Sequence, residues 1–163
     1  MAYLEDLSEY TYAGCEAYRP ITKAVGWLSC EHEFEIVPPS EELLDLLWQY
    51  CKIRVVPMRG FHRCEFCPSA VSRAHDLPSL MAALKSDGIG HRATRNGEEL
   101  LLGSAEIRVF GQSGVIYAAP NLIYHYVLIH HYNPPDEFVR AMKEGPKPTE
   151  ADYFKRLTGL RLV

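Results

Sequence analysis

The sequence predicts a single compact α+β domain, in which an antiparallel hairpin or small sheet packs against several short helices. Residues 40–51 have the cap and the apolar spacing of an amphipathic helix, and residues 104–119 alternate like two strands joined by a turn. The helical and strand patterns do not follow the regular βαβ order of a parallel sheet. A chain of 163 residues is long enough to form one hydrophobic core, so we expect one domain.

The first 39 residues are expected to be irregular with short strands, and residues 40–163 to contain the helices and the hairpin. The stretch VGWLSCEHEFEIV, residues 25–37, mixes aromatic and β-branched side chains, which favour strands. Pro38 and Pro39 end this stretch. We therefore expect short strands before the first helix.

The first helix has the clearest helical pattern in the chain. Ser40 can cap its first N–H groups, and Glu41 and Glu42 lie where the helix dipole favours negative charge. Apolar residues then recur at helical spacing. The face predicted to enter the core consists of Leu43, Leu46, Leu47 and Tyr50.

The segment between this helix and the hairpin mixes short elements with turns. KIRVV, residues 52–56, is rich in β-branched residues and precedes a proline, which predicts a strand. DLPSLMAALKSDG, residues 76–88, predicts a helix with Pro78 in its first turn. Residues 90–99 are polar and contain an Asn-Gly pair, which is typical of turns, so we expect an exposed loop there.

The hairpin and the helix after it are the central elements of the predicted fold. The sequence GQSG supplies the hairpin turn. Pro120 is expected to open a helix that is apolar nearly all round, and therefore buried, and that ends near Tyr132. PDEFVRAMKEG and TEADYFKRL predict two further short helices. The two faces of the first hairpin strand consist of Ala105, Ile107 and Val109 and of Glu106, Arg108 and Phe110.

Composition limits the classes of partner. A formal net charge of −4 and a pI near 6.0, without a Lys/Arg run, argue against a nucleic-acid-binding protein. The N-terminus, MAYLEDLSEYTYAG, is acidic where a signal peptide is basic, and the longest apolar stretch, NLIYHYVLIHHY, is too short to span a bilayer. We expect a cytoplasmic protein without a membrane partner, whose five cysteines stay reduced.

The stretch RGFHRCEFCPS, residues 59–69, contains candidate metal ligands. Cys64 and Cys67 form a C-x2-C pair, whose two thiolates can share a tetrahedral zinc ion. His62 lies two residues before Cys64, so an extended chain places both side chains on one face. Since no second C-x2-C pair exists, the other ligands must be histidines or carboxylates, and His125 is the candidate from the apolar helix. The alternative is a pair of reduced thiols that close a turn without metal.

The other histidines are weaker candidates. His130 follows His125 by five positions, which turns a helix by about 140°, so the two rings are expected to diverge and not to bind one ion together. His130 is retained as a candidate ligand-binding residue, because a buried ring needs a partner for its nitrogens. His75 and His91 lie in polar or loop-like contexts and are assigned no role.

A zinc-dependent hydrolase of the nucleoside or base deaminase type is the enzymatic alternative. Those enzymes use H-x-E followed by P-C-x-x-C, and CEHEFE, residues 30–35, would add His32 to the two cysteines as a ligand. However, Phe34 stands where that family has its proton-shuttling glutamate, and Arg63 stands where it has a proline.

Two further features have alternative interpretations. Thiol redox chemistry is the third functional alternative, but a redox C-x2-C pair normally lies between a strand and a helix, and here Pro68 follows the second cysteine. Glu106 and Arg108 share one face of a strand, where they can clamp a polar ligand or form a solvated ion pair.

Four stretches of the chain form a recognisable pattern: GWL…H.F (Gly26–Phe34), RGFHRCEFC (Arg59–Cys67), GSAEIRV (Gly103–Val109) and YAAPNLIYHYV..H.Y.PPDEF (Tyr117–Phe138). They resemble small bacterial proteins of an uncharacterised family. The resemblance covers residues from about 3 to 142, and it implies that His62, Cys64, Cys67, His125 and His130 belong to the family pattern. It also implies a bacterial cytosolic protein, without naming an activity.

These features together predict a small non-enzymatic domain. A structural zinc would lock the loop after Val56 onto the helix after Pro120, and the work of the protein would be to bind another protein or a small ligand. A toxin-neutralising immunity role fits the modest size, the acidic balance and the lack of a catalytic motif.

Overall fold

A computed structural model describes residues 3–11, 21–68, 75–87 and 91–162 of the chain. Within these residues five strands and five α-helices form one α+β domain, which confirms the predicted class. The strands are β1 (Thr22–Ala24), β2 (His91–Arg95), β3 (Glu98–Leu102), β4 (Glu106–Phe110) and β5 (Ile116–Pro120). The helices are α1 (Glu41–Cys51), α2 (Leu77–Asp87), α3 (Ile123–His130), α4 (Asp136–Glu144) and α5 (Ala151–Gly159).

The larger sheet has the strand order β1-β5-β4. β4 and β5 pair antiparallel, from Glu106 opposite Pro120 to Phe110 opposite Ile116, and the 3-10 turn Gln112–Gly114 joins them. The predicted hairpin is therefore confirmed. β1 adds to the other edge of β5 in parallel, and β2 and β3 form a separate antiparallel ribbon.

Both hairpin strands are buried at every position, because helices cover the sheet. α1 contacts β4, α3 and α4, and α4 also contacts β4. Removal of these large apolar and aromatic side chains from water is the main stabilising contribution to the fold. The largest side chains in this core include Trp27, Leu47, Tyr50, Ile107, Tyr124, Tyr126, Phe138 and Tyr153.

Helix α1 begins where the sequence predicts. The Oγ of Ser40 accepts a hydrogen bond from the N–H of Leu43 at 3.2 Å, as an N-cap does. The buried face is rotated slightly from the predicted one: Leu44 and Trp48 are buried, whereas Leu43 and Leu46 are half-buried. The rotation follows from the indole ring, which packs against α3.

Two predictions between α1 and the hairpin are wrong. Residues 52–56, all of them described, form no strand, and Val55 alone bridges to Glu106. Residues from His91 to Glu99, predicted as loop, belong to β2, β3 and their Asn-Gly turn. Half of the ribbon's side chains are exposed, and the polar run from His91 to Glu99 carries no apolar alternation from which strands could be recognised.

The chain on either side of the hairpin also differs from the prediction. Pro120 pairs with Glu106 as the last residue of β5, and the helix begins three residues later at Ile123. A proline can end a strand because its missing N–H is not needed there. Residues 25–37, expected to contain short strands, follow β1, and in this fully described range only Trp27 and Ile36 make isolated bridges. No helix in the described parts has the length and hydropathy needed to cross a membrane.

Candidate metal centre

Four potential metal ligands from two distant segments meet where the loop before α2 packs against α3. Among the described residues, the ligand atoms of Cys64, Cys67, His125 and His130 all lie within 4.8 Å of one another. Nε2 of His130 is 3.1 Å from Sγ of Cys64 and 3.3 Å from Sγ of Cys67. Nε2 of His125 is 3.2 Å from Sγ of Cys67. This group can hold a metal ion.

The distances between the ligand atoms suit a small tetrahedral ion. Zinc bonds of about 2.3 Å to sulfur and 2.0–2.1 Å to nitrogen place a sulfur and a nitrogen about 3.5 Å apart at tetrahedral angles. The three sulfur–nitrogen separations, 3.1–3.3 Å, are a few tenths of an ångström shorter. Small shifts of the side chains would therefore bring these four residues to the geometry of a zinc centre.

The turn that contains the two cysteines directs backbone N–H groups at the first sulfur. The N–H groups of Phe66 and Cys67 both hydrogen-bond Sγ of Cys64 and favour its thiolate form. Burial acts in the opposite direction and is the larger effect, since it raises the pKa of Cys64 to about 12. A coordinated cation reverses this balance, because a thiol that binds a metal loses its proton.

The loop that precedes the cysteines is fixed by a close backbone approach. The N–H of His62 donates to the carbonyl of Gly103 at 2.7 Å. A Cβ at position 103 would lie 2.4 Å from the carbonyl oxygen of His62, and the φ of Gly103 is +96°. The N–H of Gly103 in turn donates to Oδ1 of buried Asn121 at 2.7 Å. The close approach to the carbonyl oxygen of His62 and the positive φ both require glycine at position 103.

The end of helix α3 brings its two histidines together. The N–H groups of His131 and Tyr132 both donate to the carbonyl of Tyr126, so the last turn is wider than an α-turn, and His131 has a left-handed φ of 55°. A wider turn reduces the angle between side chains five positions apart. The prediction that His125 and His130 diverge is therefore wrong: their ring centroids lie 5.1 Å apart.

The two helix histidines are in the protonation state that binds metals. Burial, together with the neighbouring histidines His91 and His130, lowers the pKa of His125 to about 3. Burial also lowers the pKa of His130. Both rings are therefore neutral at physiological pH and present a lone pair to a cation.

Aromatic rings close one side of the centre. The ring of Phe66, which lies between the two cysteines in sequence, has its centroid 5.4 Å from that of His130 and 5.9 Å from that of Tyr126. Phe34 packs edge-on against Phe66 at 5.3 Å. These apolar contacts lower the local dielectric, which strengthens the attraction between a cation and the two sulfurs.

His91, to which the sequence assigns no role, lies beside the centre. Its Nε2 accepts a hydrogen bond from the backbone N–H of Cys64 at 2.9 Å. Its ring centroid is 4.3 Å from that of His125. Burial, with Arg63 and His130 as smaller contributors, lowers the pKa of His91. Because residues 90–99 were predicted to be an exposed loop, no sequence pattern indicated that this ring would approach the cysteines.

Two histidines that the sequence proposes as ligands are not brought into the group. His62 precedes Cys64, but within the described chain its ring is not among the four residues that meet. His32 is exposed and stacks on Tyr3, with ring centroids 3.6 Å apart. Its segment does approach the cysteine turn, since the N–H of Cys30 donates to Oε2 of Glu65 at 3.1 Å. The structure thus assembles the two cysteines with His125 and His130.

The Glu106–Arg108 pair is not a solvated ion pair on a strand face. The two side chains are 0% and 2% exposed and pair with each other through Nη1 and Oε2. The hydroxyl of Tyr10 donates to Oε1 of Glu106 at 2.7 Å, and the guanidinium of Arg108 lies over the Tyr10 ring. The hydroxyl of Tyr153 donates to the carbonyl of Arg108 at 2.8 Å. With these contacts, the Glu106–Arg108 pair is a buried and hydrogen-bonded part of the core.

A spacing signal for the assembled ligands was present in the sequence. His125 and His130 form an H-x4-H pair, and C-x2-C combined with H-x3–5-H is the usual ligand spacing of Cys2His2 zinc sites. An ideal helix hides this signal because it separates the two rings. The wider turn at the end of α3 is the feature that the sequence pattern does not predict.

The chain matches the model of a protein family. The model of a family described as Domain of unknown function (DUF7919) matches residues 2–143, which is most of the chain and includes all four assembled residues. Neither the curated proteins nor the solved structures gave a significant match.

Proposed function

Since the chain belongs to the DUF7919 family, whose function is unknown, we propose a function from the chemistry of its own residues. We propose that the protein binds one zinc ion through Cys64, Cys67, His125 and His130, and that this zinc is structural. The observation that supports the proposal is the convergence of the four ligand atoms within 4.8 Å of one another.

The choice of zinc follows from the kind of ligand. Two thiolates and two imidazoles in a tetrahedral arrangement are typical of zinc, whereas carboxylate and water ligands suit magnesium and calcium. The cytosol, where we expect this protein, keeps cysteines reduced and available to a metal.

A structural role follows from the number of ligands. Catalytic zinc sites keep one position open for water or substrate, whereas four protein ligands complete a tetrahedral zinc. The ion would join two segments that are 58 positions apart at Cys67 and His125, and 66 positions apart at Cys64 and His130. The free energy of zinc binding then contributes directly to the free energy of folding.

The function that accompanies such a site is binding. We propose that the zinc-stabilised domain recognises a protein or a small ligand, and a toxin-neutralising immunity role belongs to this class. The net charge of −4 disfavours a nucleic-acid partner. The deaminase alternative loses support because His32 stacks on Tyr3 and does not join the cysteines.

Elemental analysis of protein purified without added metal tests the zinc site. We expect about one zinc per chain in the parent protein and none in Cys64→Ser, because one thiolate is lost. Cys30→Ser is the matched control, since Cys30 is an exposed cysteine outside the group, and it should retain the zinc.

X-ray absorption of the zinc-loaded protein tests the structural role. We expect a first shell of two sulfur and two nitrogen atoms at the bond lengths of a four-coordinate centre. Parent protein without metal, or Cys64→Ser that keeps its zinc, would refute the site. A shell with a bound oxygen would refute the structural role and favour the hydrolase.

A further inference from the structure

We propose that His91 is a positioning residue for the metal centre, and that it couples occupancy of the centre to the docking of the β2–β3 ribbon. The proposal rests on the proposed zinc site and concerns a residue outside the four ligands. Its basis is that one side chain contacts both segments of the centre from a third element of the fold.

The first contact is with the backbone of a ligand. Cys64 is buried, with 4% of its surface exposed. Its backbone N–H donates to Nε2 of His91 at 2.9 Å. A buried N–H without an acceptor is unfavourable, so the imidazole holds this peptide group in one orientation. The orientation of the peptide group sets the direction in which the side chain of Cys64 leaves the backbone.

The second contact is with the ring of another ligand. The rings of His91 and His125 lie 4.3 Å apart between centroids, at an angle of 36°. Because Nε2 of His91 accepts a hydrogen bond, its proton is on Nδ1 and the ring is neutral. A neutral ring can pack against a second neutral imidazole without charge repulsion, and it limits the orientations available to His125.

His91 is also the first residue of β2, so it connects the centre to the ribbon. In the register of the ribbon it faces Leu102, which is fully buried and precedes Gly103. Gly103 accepts the N–H of His62, two residues before Cys64. The near end of the ribbon and the cysteine loop therefore form one continuous set of contacts.

The far end of the ribbon is held by weaker interactions. Arg95 pairs with Glu41 and Asp45 of α1, and Glu98 pairs with Lys52 and accepts a hydrogen bond from the indole of Trp48. The acidic partners and Lys52 are exposed, and exposed ion pairs contribute little stability. We therefore assign the tighter docking contact to the end of the ribbon at His91.

Thermodynamic linkage makes the effects of metal binding and of ribbon docking on each other reciprocal. If the ordered centre favours the docked ribbon through His91, then docking of the ribbon must strengthen metal binding by the same factor. Residues 91–102 should consequently exchange their amide hydrogens faster when zinc is removed. This response separates a positioning role from simple packing.

The experiment compares His91→Phe, which keeps a ring but removes the acceptor, with His91→Gln, which restores an acceptor. Zinc affinity is measured by competition with a chelator, and amide exchange of residues 91–102 is followed with and without zinc. We expect His91→Phe to bind zinc roughly 10- to 100-fold more weakly, the range typical for residues that orient metal ligands. His91→Gln should recover most of the affinity, and His75→Phe, at an exposed histidine outside the group, should match the parent.

Cobalt spectra show whether His91 is a positioning residue or a ligand. Cobalt-loaded His91→Phe should keep the spectrum of a four-coordinate site with two thiolates, because all four ligands remain. A changed coordination spectrum, an unchanged affinity in His91→Phe, or equal losses in His91→Phe and His91→Gln would each overturn the proposal. If His91→Phe does not fold, the affinity and exchange of His91→Gln against the parent decide it: values close to those of the parent support the acceptor role. Absence of zinc binding in the parent protein would instead refute the proposed function.

Discussion

At the scale of single residues, the fold contains polar groups whose burial is matched by specific partners. The Glu106–Arg108 pair in β4 is removed from water, and the hydroxyl of Tyr10 supplies a further hydrogen bond. Loss of one member would leave an unpaired buried charge, which is why such pairs persist even where their net contribution to stability is small. The strand alternation predicted which residues share a face, but it could not show that helices and the N-terminal segment cover that face.

The glycine that precedes β4 allows a direct test at the same scale. Gly103→Ala places a Cβ 2.4 Å from a backbone oxygen at a φ of +96°, so we expect a loss of roughly 3 kcal/mol in the free energy of unfolding, together with weaker zinc binding. Urea unfolding and chelator competition measure the two effects. Gly60→Ala is the matched control, because it also has positive φ, at +89°, but its Cβ would meet nothing within 4 Å. Equal losses in the two variants would show that the contact with His62 is unimportant.

At the scale of elements, the sequence predicted the parts whose pattern is local. The N-cap and helical period of α1, and the alternation of the β4–β5 hairpin, depend on residues that are close in sequence. Both elements are present in the structure. The β2–β3 ribbon was missed because the polar run from His91 to Glu99 has no apolar period. His91 was missed with it, since its role depends on a tertiary contact with Cys64.

The candidate ligands show the same division. The C-x2-C turn was recognised from its spacing, and His125 was chosen as a partner from the helix. The geometry of an ideal helix predicted that the rings of His130 and His125 point in different directions. The actual helix ends in a wider turn at His131. Helix ends depend on tertiary contacts, here the hydrogen bond from the N–H of Val37 to the carbonyl of His131, which no local pattern records.

The widened end of α3 leads to a prediction at this scale. His131 has a φ of 55°, a conformation that costs most residues about 1 kcal/mol and costs glycine little. We expect His131→Gly to raise the free energy of unfolding by roughly 0.5–1 kcal/mol while zinc affinity is kept, because the backbone path to His130 is preserved. Arg161→Gly, at a second left-handed residue far along the chain, is the control for the backbone effect alone. A stable His131→Gly variant with weakened zinc binding would show that the histidine side chain itself supports the centre.

At the scale of the whole molecule, the proposed zinc joins regions that the hydrophobic core leaves less constrained. The core lies between the larger sheet and helices α1, α3 and α4, whereas three of the four ligands are only half-buried at its margin. The cysteine loop is attached to this core through Gly103, through Asn121 and through the ligands themselves. Binding of the proposed zinc would therefore act on the cysteine loop, the end of α3 and the β2–β3 ribbon more than on the central sheet.

Removal of the metal tests this division across the molecule. If zinc is present at about a thousand times its dissociation constant, its preferential binding to the folded state contributes about 4 kcal/mol. For a domain of this size each kcal/mol shifts the melting temperature by about 2–4 °C, so chelation should lower it by about 10 °C. Calorimetry with and without a chelator measures the shift, and Cys64→Ser, which lacks the site, should show none.

Because the sheet and its helices form a core of their own, the chelated protein should keep most of its far-UV circular dichroism below that lowered transition. Complete loss of secondary structure on chelation would mean that the metal, and not the apolar core, determines whether this chain folds.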